Sequence, residues 1–412
     1  MSFYEITNED KINKKSNVRQ LVDILQVDIA SYSEDANGNL VNENTRKKYE
    51  VFVTGGINNS AVTSSLFHTV FDQDHNLQTS NEMLDLTIGL YQSGSAVQMA
   101  NWVEGVPQVD SAGKLIFSDN TLMMREKINM YKQYAQVLLG NSEKSFYSPF
   151  DSELESDRID YGFFINFKRL FVRDGLDKEQ FSIKISNVAG DSVNDGTGNI
   201  NKISVDTDDY KLYSDANATQ NLSVTSIGGQ IGDIVDSNGN AVGLIFYDKG
   251  ICIFNAEKIF DFNDQITGTI SAVTGTLEDQ YNPESGTVFF DNTLDYLWIS
   301  GSNDDILDHI AGTRFGRDNK SAIGYINHTS INSTIYFCRV GPNDANFSTN
   351  PTYINADGTL RCIQERGDDP FSYITTIGLY DLSGELLAVA KTSRPIEKNP
   401  EVDLSISVRI DY

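Results

Sequence analysis

The chain reads as mainly β with a few helices: an α+β, hairpin-rich, multi-domain protein whose C-terminal region is β-sandwich-like. Three observations lead there. Strand text with a period of two recurs, most plainly at the end, where Val402, Leu404, Ile406, Val408, Ile410 and Tyr412 alternate with Asp403, Ser405, Ser407, Arg409 and Asp411. A turn-forming word also recurs, as DANGNL at Asp35, DSAGKL at Asp110, DSNGNA at Asp236, NADGTL at Asn355 and DLSGEL at Asp381. In each, an Asx side chain opens the turn and a glycine three residues later takes the positive φ that closes a hairpin. Helical periodicity, by contrast, is confined to a few places.

Taken in order, QLVDILQVDIA from Gln20 and KKYEVFVTG from Lys47 predict strands in a β-rich N-terminal region, residues 1–118. The word TIGLY at Thr87 to Tyr91 predicts another, and it is written again at Thr376 to Tyr380. Ser93 to Ala100 lines up with Ser383 to Ala390 after one gap, so each copy reads as the first strand of a hairpin, with Gly89 and Gly378 placed for a close approach. Duplication of a hairpin unit and convergent strand chemistry both explain the repetition.

A helix-containing region, residues 119–200, follows. Met124, Ile128, Tyr131, Ala135 and Leu138 recur at alternating four and three, Asp119 and Asn120 suit a cap, and Gly140 suits a stop, which predicts a helix from Thr121 to Leu139. RIDYGFFINFKRLFVRDG fits either element, and strand is expected after Gly162. The region 201–320 reads as β-rich, with AVGLIFYDKGICIF as strand text and a short helix near 303–312, where Asp304 and Asp305 sit in the first turn and Gly312 ends it. From Ser321 to Tyr412 a C-terminal β domain is expected, with STIYFCRV and SYITTIGLY as strands and Arg394–Pro395 as the connection before the last one. That last strand either completes an internal sheet or leaves an edge for a neighbour.

Composition narrows the function. The chain has 412 residues, with 32 basic against 58 acidic side chains and a net charge of −26. Such a field repels phosphate backbones and anionic lipid heads, so direct nucleic-acid binding is not expected. The opening segment carries no apolar signal region, and nowhere do 18 apolar residues run together, so neither a signal peptide nor a membrane span is expected. Cys252, Cys338 and Cys362 lack CxxC spacing and read as reduced residues of a protein made in a cytoplasm.

Chemistry-bearing motifs are sparse. HTVFDQDH places His68, Asp72, Asp74 and His75 within one stretch, with the right ligand types for a metal but no partner segment, and reads better as solvated or hydrogen-bonded turn text. DSNGNA lacks the bidentate glutamate of a calcium loop. HIAGTRFGRDNKS sets Arg314 and Arg317 near glycines without a phosphate-loop pattern, and Arg314 is expected to meet an acidic neighbour at a surface or interface. Lys168, Arg169 and Arg173 form a local basic cluster that suits contact with an acidic copy or partner. No GxSxG, HExxH or nucleophilic cysteine signature occurs. No enzyme activity, cofactor or metal is expected.

Several stretches together resemble a family of virion structural proteins of large, mainly contractile-tailed bacteriophages. The words are TLMMREKINMYKQYAQVLLG, DRIDYGFFINFKRLFVRDG, VGLIFYDKGI, DHIAGTRFG, INSTIYFCR, FSTNPTY and YITTIGLYDLSGELLAVAKTSRPIEK, spread from about Ser64 to the C-terminus. The resemblance implies a non-enzymatic particle subunit, made in the host cytoplasm and ending in the virion, with other virion proteins as partners and a homo-oligomer or multi-copy ring as its state. Tail machinery at the baseplate or neck is the first expectation, and a capsid or fibre component the nearer alternative. A receptor-binding or polysaccharide-binding or degrading tail module is the different class of answer, against which the presence of only Trp102 and Trp298 as tryptophans speaks mildly.

Overall fold

The computed structural model describes residues 5–29, 32–34, 40–42, 48–54, 61–73, 77–92, 108–109, 115–116, 122–187, 191–194, 200–204, 210–262, 294–315, 319–348, 350–361, 367 and 369–412. Its regular elements are mainly strands with a few helices, as the sequence predicts. Two compact units divide the chain: residues 19–329 form one, and residues 1–18 with 330–412 form the other. The C-terminal unit thus begins within the strand Ser321–Val340, not at its start, and takes in the N-terminal segment.

The larger unit is built on antiparallel pairs. Lys48–Thr54, Ala61–Phe71 and Glu82–Leu90 meander, and Glu82–Leu90 then pairs with Tyr161–Phe167. From there the order runs through Ile251–Asn255, Ala241–Phe246, Gly229–Val235, Tyr210–Ser214 and Ser182–Ser186. The chain therefore leaves Tyr161–Phe167, crosses to Ser182–Ser186, and returns by successive antiparallel strands to pair Ile251–Asn255 with the strand it left. Strand text in this region is apolar on both faces because both faces are covered. In Tyr161–Phe167, Phe163, Ile165 and Phe167 join one apolar cluster while Phe164 joins a second. In Ile251–Asn255, Cys252 and Phe254 face the first while Ile251 and Ile253 face the second.

The helix Leu122–Leu139 covers part of this sheet. Met124, Ile128, Tyr131, Ala135 and Leu138 are all buried, as the stripe predicts, and Gly140 follows at φ 74°. The capping residues expected at Asp119 and Asn120 lie outside the described residues. Tyr131 shows why the helix sits where it does: its hydroxyl donates to the Ile159 carbonyl at 2.8 Å and accepts from the Phe146 amide at 2.9 Å. Gly89 and Gly162 lie opposite each other on paired strands and make room for it. A Cβ on Gly89 would stand 3.1 Å from the Tyr131 backbone nitrogen and 2.9 Å from the Phe164 ring. The close approach predicted at Gly89 is therefore the seat of a helix.

Three elements differ from the sequence reading. The short helix Asn303–His309 does not stop at Gly312, because a wider π-type turn carries the chain on through Ile310–Arg314. A helix at Leu294–Ser300 precedes it that the sequence reading does not contain. After Gly162 the strand runs to Phe167 as expected, but Arg169–Val172 then makes a single helical turn.

In the smaller unit, Leu404–Asp411 pairs antiparallel with Ser333–Val340, so the last strand is held internally on one side. Its inward residue Val408 is buried. Ser372–Tyr380 and Leu386–Lys398 form a separate hairpin. Pro395 is not the connection between strands: Leu386–Lys398 passes through it, and a register shift between Ile374 and Thr376 accommodates the missing amide donor.

Candidate interaction surface

The side chains picked out as possible ligands separate in the fold. His68 is a buried strand residue, not turn text: its Nε2 lies 3.3 Å from the Ile29 carbonyl oxygen, the arrangement of an imidazole N–H donating to it. Asp72 instead accepts from the Asn81 amide at 2.7 Å and from its side-chain amide at 2.9 Å. Asp74 and His75 lie outside the described residues, and among the described residues no metal-binding group of His, Cys, Asp or Glu gathers. At Asp236 the carboxylate accepts from the Asn238 and Asn240 amides, each at 2.8 Å, which makes it a turn former.

The basic candidates are answered largely within the chain. Lys168 Nζ pairs with Asp85 at 2.6 Å and Glu82 at 3.0 Å, and Arg169 meets Asp174 at 3.5 Å. Arg173 is exposed and donates to the Gln20 side chain at 2.9 Å. Arg317 lies outside the described residues. Arg314 is fully buried, which corrects the expectation that it sits at a surface. Its guanidinium donates to His309 Nε2 at 3.2 Å and to the Asn187 carbonyl at 2.5 Å, and it lies over the Phe260 ring. The π-type turn brings this arginine back onto the histidine of the preceding helix.

Burial, and after it the Arg314 charge, hold the His309 imidazole well below its ordinary pKa. On acidification below about pH 6.5 the unfolded chain binds a proton there that the folded chain does not, so stability present above that pH is progressively lost. His309→Gln is expected to flatten the fall in melting temperature between about pH 7 and pH 5.5. Equal slopes in the two proteins would show that His309 is not buried in its neutral form.

A different kind of surface is offered by the hairpin of the smaller unit, Ser372–Tyr380 with Leu386–Lys398. Its strand SYITTIGLY is rich in β-branched and aromatic residues, and the turn after it is written by Asp381. The Asp381 amide donates to the Glu385 carbonyl at 3.0 Å, the Gly384 amide to the Asp381 carbonyl at 3.1 Å, and Gly384 takes φ 86°. The Asp236 and Asn355 turns repeat this pattern, with Gly239 and Gly358 at φ 85°. Hydrogen bonds from the Ser383 hydroxyl, and then from the Glu385 amide, hold the Asp381 carboxyl below its usual value. The recurring turn word thus means what the sequence reading takes it to mean at each copy among the described residues; those at Asp35 and Asp110 lie largely outside them.

The base of the hairpin is fixed. Lys398 is fully buried and its Nζ donates to the carbonyls of Pro342 at 3.0 Å and Asn399 at 2.7 Å and to the Asn346 side chain at 2.8 Å. The Ser372 hydroxyl bonds the Ala345 carbonyl, and the Tyr353 hydroxyl bonds the Phe371 carbonyl. Beyond that base the hairpin turns apolar groups to solvent: Leu382 is 101% exposed, Leu387 68%, Tyr373 56%, Val389 53%, Leu386 48% and Tyr380 41%. Six exposed apolar side chains gathered on one hairpin, with Tyr380 and Leu386 side by side at Gly378, are more than the scattered single residues that need no explanation. Gly378 is placed for this packing, since the Tyr380 ring lies 2.8 Å and Leu386 3.2 Å from where its Cβ would stand.

The two TIGLY copies therefore live in opposite surroundings. The first belongs to the buried strand Glu82–Leu90, whose partners are Ala61–Phe71 on one side and Tyr161–Phe167 on the other. The hairpin arm expected to follow it, residues 93–100, lies outside the described residues. The second is exposed and pairs with Leu386–Lys398. No helix among the described residues is long and apolar enough to cross a membrane. No protein-family model, curated protein or solved structure gives a significant match to the chain.

Proposed function

We propose that this chain is a non-enzymatic structural subunit of a tailed bacteriophage particle, acting in the tail machinery at the baseplate or neck through protein–protein contacts. The observation that carries the reading is the apolar surface of the hairpin, from Tyr373 to Val389, set on a base fastened by Lys398. A subunit whose working surface is another protein needs apolar area at a defined place on a rigid support, and exposed patches of this kind mark interaction sites. The spread of phage-like words along the sequence and the acidic balance of the chain support the same reading.

An antiserum against the purified chain tests it. Gold-labelled antibody is expected to decorate tailed particles at the neck or the distal end of the tail in negative stain. Label on the capsid or the fibres alone would overturn the tail-machinery assignment, and particles free of label in a lysate that contains the chain would overturn the structural role.

A further inference from the structure

We propose that the strand Ser372–Tyr380 is the edge through which two copies of this chain pair, strand to antiparallel strand, about a two-fold axis. This rests on the reading of the hairpin as an assembly surface and names its partner.

An unprotected strand edge presents a row of backbone donors and acceptors to any passing strand, and folded proteins blunt such edges with charge, proline or bulges. Among the described residues the long edge strands Lys11–Leu25, Leu386–Lys398 and Leu404–Asp411 carry such devices, and Ser372–Tyr380 carries the fewest. Lys11–Leu25 carries Lys11, Lys14, Lys15, Arg19 and Asp23, and Leu404–Asp411 carries Arg409 and Asp411. Within the hairpin itself, Leu386–Lys398 carries Lys391, Arg394, Pro395, Glu397 and Lys398, and its pairing shifts register twice. Ser372–Tyr380 shares those two shifts of register, at Ile374/Thr376 and Leu379/Tyr380, but its nine residues, SYITTIGLY, include no charge and no proline. Among the described residues its strand partner is Leu386–Lys398, on one side.

Charge decides which second strand can approach. Over residues 372–398 the acidic groups are Asp381, Glu385 and Glu397 and the basic groups Lys391, Arg394 and Lys398, a balance of three against three in a chain of net charge −26. Two copies of a chain this acidic repel one another, and the neutral hairpin adds nothing to that repulsion. A strand paired antiparallel with its own copy has two-fold symmetry, which makes the contact self-complementary and closed. The two-fold places one residue near the middle of Ser372–Tyr380 opposite itself.

Sedimentation velocity over a concentration series, on the full chain and on a Thr375→Lys/Thr376→Lys variant, tests the pairing. Both positions are exposed, so the variant is expected to keep the far-ultraviolet circular dichroism of the parent. The parent is expected to form dimers, and the variant to associate about tenfold more weakly or less, since the pair sets like charges close together. Cysteines introduced one at a time at Thr375, Thr376 and Ile377, with the native cysteines replaced by serine in variant and parent alike, supply a second readout: the one at the axis is expected to give a covalent dimer under mild oxidation that this parent does not give. A parent that stays monomeric at every concentration overturns the proposal and gives the edge to a different protein. So does a variant that associates like the parent, or a dimeric parent with no cross-link at any of the three positions. Gold-labelled particles together with a monomeric chain would reject the pairing and keep the structural role, whereas a dimer and unlabelled particles would do the reverse.

Discussion

Replacing Ile128 with aspartate is expected to abolish soluble folding. Ile128 is 7% exposed and belongs to the apolar cluster that includes Leu86, Ile88 and Leu90 of the central strand. An unpaired carboxylate there costs about 3–5 kcal/mol, a large share of the roughly 5–15 kcal/mol that holds a typical domain together. Asn129, the next residue, is exposed, and Asn129→Asp is expected to stay within about 0.5 kcal/mol of the parent. Soluble yield and urea denaturation measure both. A stable Ile128→Asp protein would mean that the helix presents another face to the sheet.

Lys127→Ala is expected to be the second most damaging change, at about 3 kcal/mol or more in urea denaturation. Lys127 is fully buried, and its Nζ donates to the carbonyls of Trp298 at 2.7 Å, Ile299 at 3.2 Å and Gly301 at 2.7 Å. These are carbonyls at the end of the helix Leu294–Ser300, which lack partners within their own helix and concentrate its negative dipole end. The ammonium group supplies both the hydrogen bonds and the compensating charge. Lys127→Met keeps most of the stem volume and removes the donor, so its loss of stability relative to alanine separates packing from hydrogen bonding. A methionine variant as stable as the parent would show that those carbonyls do not depend on Lys127.

Local pattern reveals what local physics decides. The buried stripe of Leu122–Leu139 is legible because one face of a helix repeats every three or four residues, and the Asx–Gly turns are legible because only a few residues tolerate their backbone angles. Lys127 lies three residues after Met124 and four before Tyr131, so the same periodicity places it on the buried face. Its charge hides that placement. What satisfies it stands 171 residues away along the chain, where no window of sequence can see it. Lys398 and Arg314 were illegible for the same reason: each is a buried cation with an acceptor far along the chain, the Pro342 carbonyl for Lys398 and the Asn187 carbonyl for Arg314. The interaction surface was half legible. TIGLY reads as a strand at both positions, and both are strands. Whether such a strand is a core or an edge depends on what is laid against it, and identical letters gave Glu82–Leu90 a helix above and strands on both sides, and gave Ser372–Tyr380 a single neighbour among the described residues.

Hydrogen exchange at the amides of Ser372–Tyr380 tests the central claim, that this edge is an assembly surface, most directly. At low concentration the outward amides are expected to exchange freely, and at high concentration to become protected, while the same amides of the Thr375→Lys/Thr376→Lys variant stay unprotected at both. Protection that is identical at every concentration and in both proteins would contradict the account, because it would mean that the edge is already closed within a single chain.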